Sequence, residues 1–153
     1  MSTNTAPMQQ LTALFSGTWH GAETLYPSPF DPAGGSATAT WTVRPAVDGF
    51  CLLVDYHEQR AGQPPYRGHG VHGWDAQQGC FFAYWFDNSP RMPHHGSRAT
   101  LTDNRYTYQQ TSANGCLRFI YQWSDGIFTF RIERSADGQA WSPMQEGRYQ
   151  RTA

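Results

Sequence analysis

The sequence predicts an all-β protein that folds as an antiparallel up-and-down β-barrel of about 8–10 strands, with a short N-terminal helix plugging one end. Two observations lead to this prediction. Short segments with a period of two, rich in aromatic and β-branched residues, follow one another with no helical pattern between them. The connections between these segments alternate between long and short, as expected for a meander with its long loops at one end. A sandwich would alternate too, but closure into a barrel removes the exposed edges of so large a sheet.

The first element is a helix that begins near Ala6 and ends near Phe15. Apolar residues recur there at spacings of three and four, starting from Met8, which predicts a single apolar stripe. So short a helix is marginal by itself, so it must dock on the rest of the chain. The Gly-x-Trp run that ends at Trp19 follows directly and starts the first strand. We expect the helix and the Trp19 indole to close one end of the barrel.

Ten strand segments follow the helix. Turn-forming residues separate these segments, and the chain holds 15 Gly and 10 Pro in all. The predicted segments are 18–26, 37–44, 50–58, 66–74, 81–87, 98–102, 105–111, 117–123, 127–134 and 145–151.

The connections predict the shape of the barrel. Every odd-numbered connection of an up-and-down meander lies at one end, and every even-numbered one lies at the other. The longest connections here are the odd-numbered 27–36, 88–97 and 135–144, whereas 103–104 and 124–126 are tight turns at the opposite end. The pattern predicts a cup with a base plugged by the helix and an open mouth ringed by loops.

Composition excludes several classes of function. The formal net charge is −1 with no basic block, which argues against nucleic-acid or membrane-surface partners. Three cysteines without metal-ligand spacing suggest free thiols, and no cofactor motif is present. Residues 1–5 are expected to be disordered and residues 6–153 to form one domain. Since the N-terminus lacks the basic and apolar regions of a signal peptide, a cytoplasmic location is expected.

Several motifs lie along the chain: Gly17-Thr18-Trp19-His20-Gly21, 26–35, Asp48-Gly49-Phe50, Asp55-Tyr56, 67–70, Trp74-Asp75, 84–87 and 146–149. Over nearly the whole chain, from Leu14 to Arg151, they resemble the bacterial DUF1579 family of uncharacterised function. That family is held to adopt a lipocalin-like (calycin) barrel, which the resemblance therefore implies. In the wider lipocalin group the Gly-x-Trp indole packs under a basic side chain near the barrel end, which implies Arg148 or Arg151 here.

The opening Gly-Thr-Trp-x-Gly, followed by Tyr-Pro, is also similar to the nitrobindin-type haem barrels. Those proteins ligate haem iron through a histidine late in the chain. Here the last histidine is His95, so the sequence departs from that pattern.

Strand alternation nominates residues for the interior of the cup. If Trp19 points inward, Glu23 lies on the same face, where burial would disfavour its ionised form; a bulge after Gly21 would instead turn it to solvent. Trp41 and Tyr56 fall on the apolar faces of the second and third strands and are expected to line the interior. Either ring could contact a ligand or simply fill the core.

The fourth strand and the end of the fifth strand carry further candidates. His69 and His72 lie among glycines, which mark the close approach of another group in a strand. Because the two histidines are three residues apart in the sequence, at most one of them faces the cup in a regular strand. We expect this to be His69. Tyr84 and Trp85 end the fifth strand at the predicted mouth and are expected ligand contacts.

Two further sets of residues are weaker candidates. His94 and His95, on the loop after the fifth strand, could bind a transition metal, although no cysteine or carboxylate stands at ligand spacing, and a solvated loop is the simpler interpretation. Tyr106 and Tyr108, if they face outward, could form part of a homodimer face.

These observations predict that the cup binds a small apolar or aromatic ligand through Glu23, Trp41, Tyr56, His69, Tyr84 and Trp85. One alternative is a small barrel enzyme, of cyclase, isomerase or hydratase type, with His69 or Glu23 as acid or base. Another is a haem- or metal-binding barrel.

Overall fold

The computed structural model describes residues 6–152, which form a closed ten-stranded antiparallel barrel with one N-terminal helix. The fold class, the up-and-down topology and the helix predicted from the sequence are confirmed. The expected disorder of residues 1–5 lies outside the described residues. The elements are α1 (Ala6–Phe15), β1 (Gly17–Leu25), β2 (Gly35–Ala46), β3 (Cys51–Gln59), β4 (Tyr66–Asp75), β5 (Cys80–Asp87), β6 (Ser97–Thr102), β7 (Arg105–Ser112), β8 (Gly115–Ser124), β9 (Ile127–Ser135) and β10 (Ser142–Arg151).

The barrel closes because its first and last strands pair. β1 pairs with β10 in an antiparallel register that runs from Trp19 opposite Arg151 to Leu25 opposite Gln145. All other neighbours along the barrel are consecutive strands. Closure therefore removes the two outer edges that an open ten-stranded sheet would expose.

The two ends of the barrel differ as the connection lengths predict. The long connections 26–34, 60–65, 88–96 and 136–141 lie at one end, and the turns 103–104 and 125–126 lie at the other. β5 and β6 pair only from Phe81 to Ala83 of β5, so the rest of β5 and the 88–96 loop have no ladder partner on that side. We call the long-loop end the mouth and the other end the base.

α1 and Trp19 close the base. Met8, Leu11 and Phe15 of α1 are buried, and Phe15 packs within 6.0 Å of the interior rings Trp41, Tyr121, Trp123 and Phe128, measured between ring centroids. The Trp19 indole N–H donates to the Phe15 carbonyl oxygen at 2.9 Å. In the described part of the chain, no helix is long and apolar enough to cross a bilayer.

A basic side chain covers Trp19, as the family resemblance implies. It belongs to Arg151, whose guanidinium carbon lies 4.6 Å from the centre of the Trp19 ring. Arg148 is exposed on the outer face of β10. The contact favours the folded state because a guanidinium is attracted to the face of an indole.

Aromatic side chains at inward-facing strand positions fill much of the barrel interior. Among them are Tyr106 and Tyr108, which are only 1% and 5% exposed. The suggestion that these two rings form an outward dimer face is therefore wrong. β7 is one of the barrel's wall strands, and its two tyrosines lie on the face that packs against Tyr121 of β8.

Candidate functional site

A cavity of about 410 Å³ lies inside the barrel on the mouth side. Its walls come from eight of the ten strands and from the 88–96 loop, and most of its lining side chains are aromatic. A cavity of this size and composition is typical of small-molecule sites. The lining residues are Trp41, Tyr56, Tyr66, Trp85, Asp87, Arg91, Tyr108, Gln110, Leu117, Phe119, Tyr121, Phe130, Ile132, Met144 and Gln145.

The glycines of β4 make room for one wall of this cavity. A Cβ atom added to Gly68 would lie 1.9 Å from the Trp85 ring, and one added to Gly70 would lie 3.3 Å from it. The indole of Trp85 therefore lies directly on the backbone of β4, which no other residue type would permit at position 68. The close approach that the glycine pattern predicts is made by a neighbouring strand.

Hydrogen bonds hold the polar side of the mouth in place. The Trp85 indole N–H donates to the Tyr66 hydroxyl at 3.0 Å, and that hydroxyl donates to Asp87 at 2.9 Å. Burial by itself would raise the pKa of Asp87, but hydrogen bonds from Ser89 and Tyr66, with the charge of Arg91, bring it below its usual value. Asp87 is therefore ionised at neutral pH.

Two buried carboxyl groups lie behind the cavity wall. Glu23 of β1 is 2% exposed and Glu58 of β3 is 7% exposed. The Tyr56 hydroxyl lies 2.7 Å from both oxygens of Glu23 and 2.8 Å from Glu58. Tyr149 donates to Glu23 at 2.8 Å, and the Gln145 amide donates to it at 2.5 Å. We call these five side chains the carboxyl cluster.

The hydrogen-bond geometry indicates that the carboxyl cluster holds an additional proton. A phenol has one proton, so Tyr56 can donate to one carboxylate only. The contact of Tyr56 with the second carboxyl group is a hydrogen bond only if that group is protonated and donates to the phenol oxygen. Two ionised carboxylates around one phenol would repel each other in a medium of low dielectric constant.

The raised pKa of Glu23 agrees with one additional proton in the carboxyl cluster. Burial is the largest influence and, with the negative charge of Glu58, raises the pKa from 4.5 to about 7, although the bonds from Tyr56 and Tyr149 oppose the rise. Burial also raises the pKa of both Tyr56 and Tyr149, so both phenols stay protonated as donors. Glu23 is therefore the group of the cluster that can exchange a proton near neutral pH.

The predicted contacts Trp41, Tyr56 and Trp85 line the cavity. The Glu23 side chain faces the interior but does not line the cavity, because Tyr56 and Gln145 lie between its carboxyl group and the cavity. Contact of these residues with a ligand stays a prediction.

The structure corrects the expectation that His69 faces the cup. His69 is on the outer face of β4, where its Nδ1 lies 2.8 Å from the exposed carboxylate of Asp55. His72 is the inward histidine of this strand and is 1% exposed. It lies below the cavity, with its Nδ1 2.8 Å from the Tyr106 hydroxyl, and burial lowers its pKa from 6.5 to about 4. The imidazole of His72 is therefore uncharged at neutral pH.

Tyr84 also departs from the expectation, because it lies on the outer face of β5 and is 41% exposed. Its ring covers the backbone of Gly96. His94 and His95 lie on the 88–96 loop with ring centroids 6.2 Å apart. Residues 6–152 contain no group of three potential metal ligands at these or any other positions.

Sequence reasoning missed Glu58, Tyr66, Asp87, Arg91 and Gln145. Extending the period of two from Tyr56 to Glu58, and from Trp85 to Asp87, would have found two of them. Gln145 lies two alternations before Tyr149 on the same face of β10, but the sequence analysis identified no inward residue of β10 from which to extend the period. Arg91 belongs to a loop, where no period applies.

Comparisons with known proteins support the fold. A scan against protein-family models finds no match, and a search of curated proteins also finds none, so the resemblance to DUF1579 is not confirmed. The chain is similar in structure to the crystal structure of Rv2717c from M. tuberculosis, with a TM-score of 0.70 and 14% sequence identity over 96% of this chain and 98% of that one. At this identity the similarity extends to the lipocalin-like barrel fold and no further.

Proposed function

We propose that this protein binds a small molecule with an aromatic or apolar body in the barrel cavity. The observation that supports this proposal is the cavity of about 410 Å³, which opens at the mouth above a base filled by α1 and interior rings. Small-molecule sites of proteins are mostly apolar and aromatic, with a few polar groups that set orientation. The polar groups here are Tyr56, Tyr66, Asp87, Arg91 and the amides of Gln110 and Gln145.

The rings of the wall favour a flat ligand. Trp41 and Tyr56 pack with centroids 4.5 Å apart, and Trp85 packs within 6.5 Å of both. Their faces and edges suit stacked or edge-on contact with another ring, which contributes about 0.5–1.5 kcal/mol per pair beyond the burial of area.

An acid–base enzyme is the second candidate function, and one observation favours it. The pKa of Glu23 is raised to about 7, as expected of a group that transfers protons at neutral pH. However, Glu23 contacts the cavity only through Tyr56 and Gln145, and His69, the other candidate, lies on the outer face. Binding is therefore the better-supported function.

A haem or metal site has less support from the lining. Within residues 6–152, neither a histidine nor a cysteine lines the cavity. The potential metal ligands in the lining are the phenols, the carboxylate of Asp87 and the thioether of Met144. His72 lies below the cavity, where it is hydrogen-bonded to Tyr106. The lining therefore does not match ligation through histidine.

Narrowing the cavity should weaken binding of an aromatic probe. Ile132 lines the cavity from β9, and Ile132→Trp would place an indole in the space without removing a hydrogen bond. We expect neutral anilinonaphthalene to bind the wild type with enhanced fluorescence, and to bind Ile132→Trp at least about tenfold more weakly.

The control is Val71→Trp, which adds the same indole to the outer face of β4 and should leave the affinity unchanged. Circular dichroism checks that both variants keep the barrel. The proposal is wrong if the wild type binds neither anilinonaphthalene nor its charged analogue, anilinonaphthalene sulfonate. It is also wrong if Ile132→Trp binds the neutral probe as tightly as Val71→Trp does.

A further inference from the structure

Two arginines at the mouth set the chemistry of the ligand's exposed end. Arg91 on the 88–96 loop lines the main cavity and also a side groove of about 270 Å³. Arg134 of β9 lines the same groove. Gln110 and Leu117 line both spaces, so the groove is continuous with the cavity at the mouth.

The side chain of Arg134 belongs to the inner face of the barrel. Arg134 pairs with Leu117 across β8 and β9, and paired residues of antiparallel strands point to the same face. Since Leu117 lines the cavity, Arg134 is on the cavity side. It is half-buried, which makes its charge more effective than that of a fully solvated arginine.

Neither of these guanidinium groups is neutralised by an ion pair within residues 6–152. Three other arginines do form ion pairs. Arg60 pairs with Asp31, Arg118 pairs with Glu133, and Arg131 pairs with Glu133 and Glu146.

One carboxylate, Asp87, also lines the cavity near Arg91, and its pKa is held below its usual value. The linings of the cavity and the groove together therefore carry two positive charges and one negative charge. An excess of one positive charge suits a ligand with a single negative charge, because an unpaired guanidinium binds an oxyanion through charge-assisted hydrogen bonds.

We propose that the ligand is an aromatic monoanion of the carboxylate or sulfonate class, whose rings occupy the cavity while its oxyanion lies at the mouth between Arg91 and Arg134. This inference rests on the proposed binding function and names the chemical class of its ligand. The aromatic wall supplies affinity for the rings, and the two arginines select the charge and fix which end of the ligand faces out.

A matched pair of probes separates the two proposals. Anilinonaphthalene and anilinonaphthalene sulfonate differ only by the sulfonate group. We expect the wild type to bind the sulfonate about tenfold more tightly than the neutral probe, with an advantage that shrinks as salt is added. Arg134→Gln and Arg91→Gln should each weaken binding of the sulfonate more than binding of the neutral probe, and so reduce the advantage of the sulfonate.

The control variant is Arg67→Gln, which removes an exposed arginine from the outer face of β4 at the same end of the barrel. It should keep the full preference for the sulfonate. Loss of both probes in Ile132→Trp, with only the charge preference lost in Arg134→Gln, supports both proposals. If the neutral probe binds in the cavity but no variant at the mouth changes the preference, the inference about the anion is wrong while the proposed function stands.

A competition experiment tests the single charge. Naphthoate and naphthyl phosphate carry different anions on the same ring system, and each is titrated against the bound sulfonate probe. Naphthoate should displace the probe at least as well as naphthyl phosphate, because Asp87 repels a second negative charge. Stronger displacement by the phosphate would overturn the assignment of a monoanion.

Discussion

Gly21→Ala should destabilise the barrel by about 3 kcal/mol or more. Gly21 lies in β1 opposite Tyr149 of β10, where the first and last strands close the barrel. A Cβ atom at this position would lie 1.9 Å from the Arg148 carbonyl oxygen and 2.8 Å from its carbonyl carbon. These are backbone atoms of the paired strand and cannot rotate away. The two strands must therefore separate, which weakens the ladder that closes the sheet.

Thermal or urea unfolding, followed by circular dichroism, measures the effect of Gly21→Ala. A loss of this size lowers Tm by roughly 6–12 °C for a chain of this length. The matched control is Gly73→Ala in β4, where the nearest heavy atom to the added Cβ is the Phe50 carbonyl oxygen at an ordinary 3.5 Å. This control should be neutral or slightly stabilising, because alanine loses less backbone entropy on folding than glycine. Equal stabilities of the two variants would contradict the account of barrel closure at Gly21.

Glu23→Gln should remove a pH dependence of stability worth up to about 3 kcal/mol. The pKa of Glu23 rises from 4.5 to about 7 on folding, mainly through burial. The folded protein keeps this proton at pH values where the unfolded chain has released it. The stabilisation is therefore complete below pH 4.5 and is lost as the pH rises through 7. Glutamine has nearly the same shape and no proton to lose.

His72 has the opposite effect on stability, because burial lowers its pKa from 6.5 to about 4. Its neutral form stabilises the folded state above pH 6.5, and this contribution is lost as the pH falls through 4. Between pH 4.5 and 6.5 the contributions of Glu23 and His72 therefore change in opposite directions. Glu23→Gln should reveal the rise in stability with pH that His72 produces.

Urea unfolding over a series of pH values tests this prediction. The free energy of unfolding of the wild type minus that of Glu23→Gln should fall between pH 4.5 and 7. Glu146→Gln is the control, since it removes a carboxylate on the outer face of β10 and measures the effect of the lost charge. A difference between wild type and Glu23→Gln that stays constant over this range would mean that Glu23 does not hold the proton of the carboxyl cluster.

The architecture was accessible from the sequence because it depends on local signals. Alternation in segments such as 37–44 identifies strands, and the lengths of the connections determine which loops share an end. The glycines at 68 and 70 indicated that another group approaches β4. They could not name Trp85, because that contact depends on the pairing of β4 with β5.

The side chains of the site were harder to predict, since a period of two defines two faces of a strand without saying which one is inside. In β2 the contrast between Trp41 and its polar neighbours settles the question. In β4 both faces carry a histidine beside glycines, so the sequence offers no contrast in hydrophobicity. The pairing of His69 with the exposed Asp55 on β3 decides that His69 faces out and His72 faces in.

By itself, the sequence determined an up-and-down barrel with a plugged base, a loop-ringed mouth and an aromatic interior, because these features follow from periodicity and from the lengths of neighbouring segments. Only the tertiary structure decided that Glu23, Tyr56 and Tyr149 share one hydrogen-bonded cluster and that Arg91 and Arg134 line one groove at the mouth. Tyr56 and Tyr149 are 33 and 126 positions from Glu23 in the chain, and no local pattern links residues so far apart. The contacts among these three residues, and the burial that raises the pKa of Glu23, depend on the register and closure of the whole sheet.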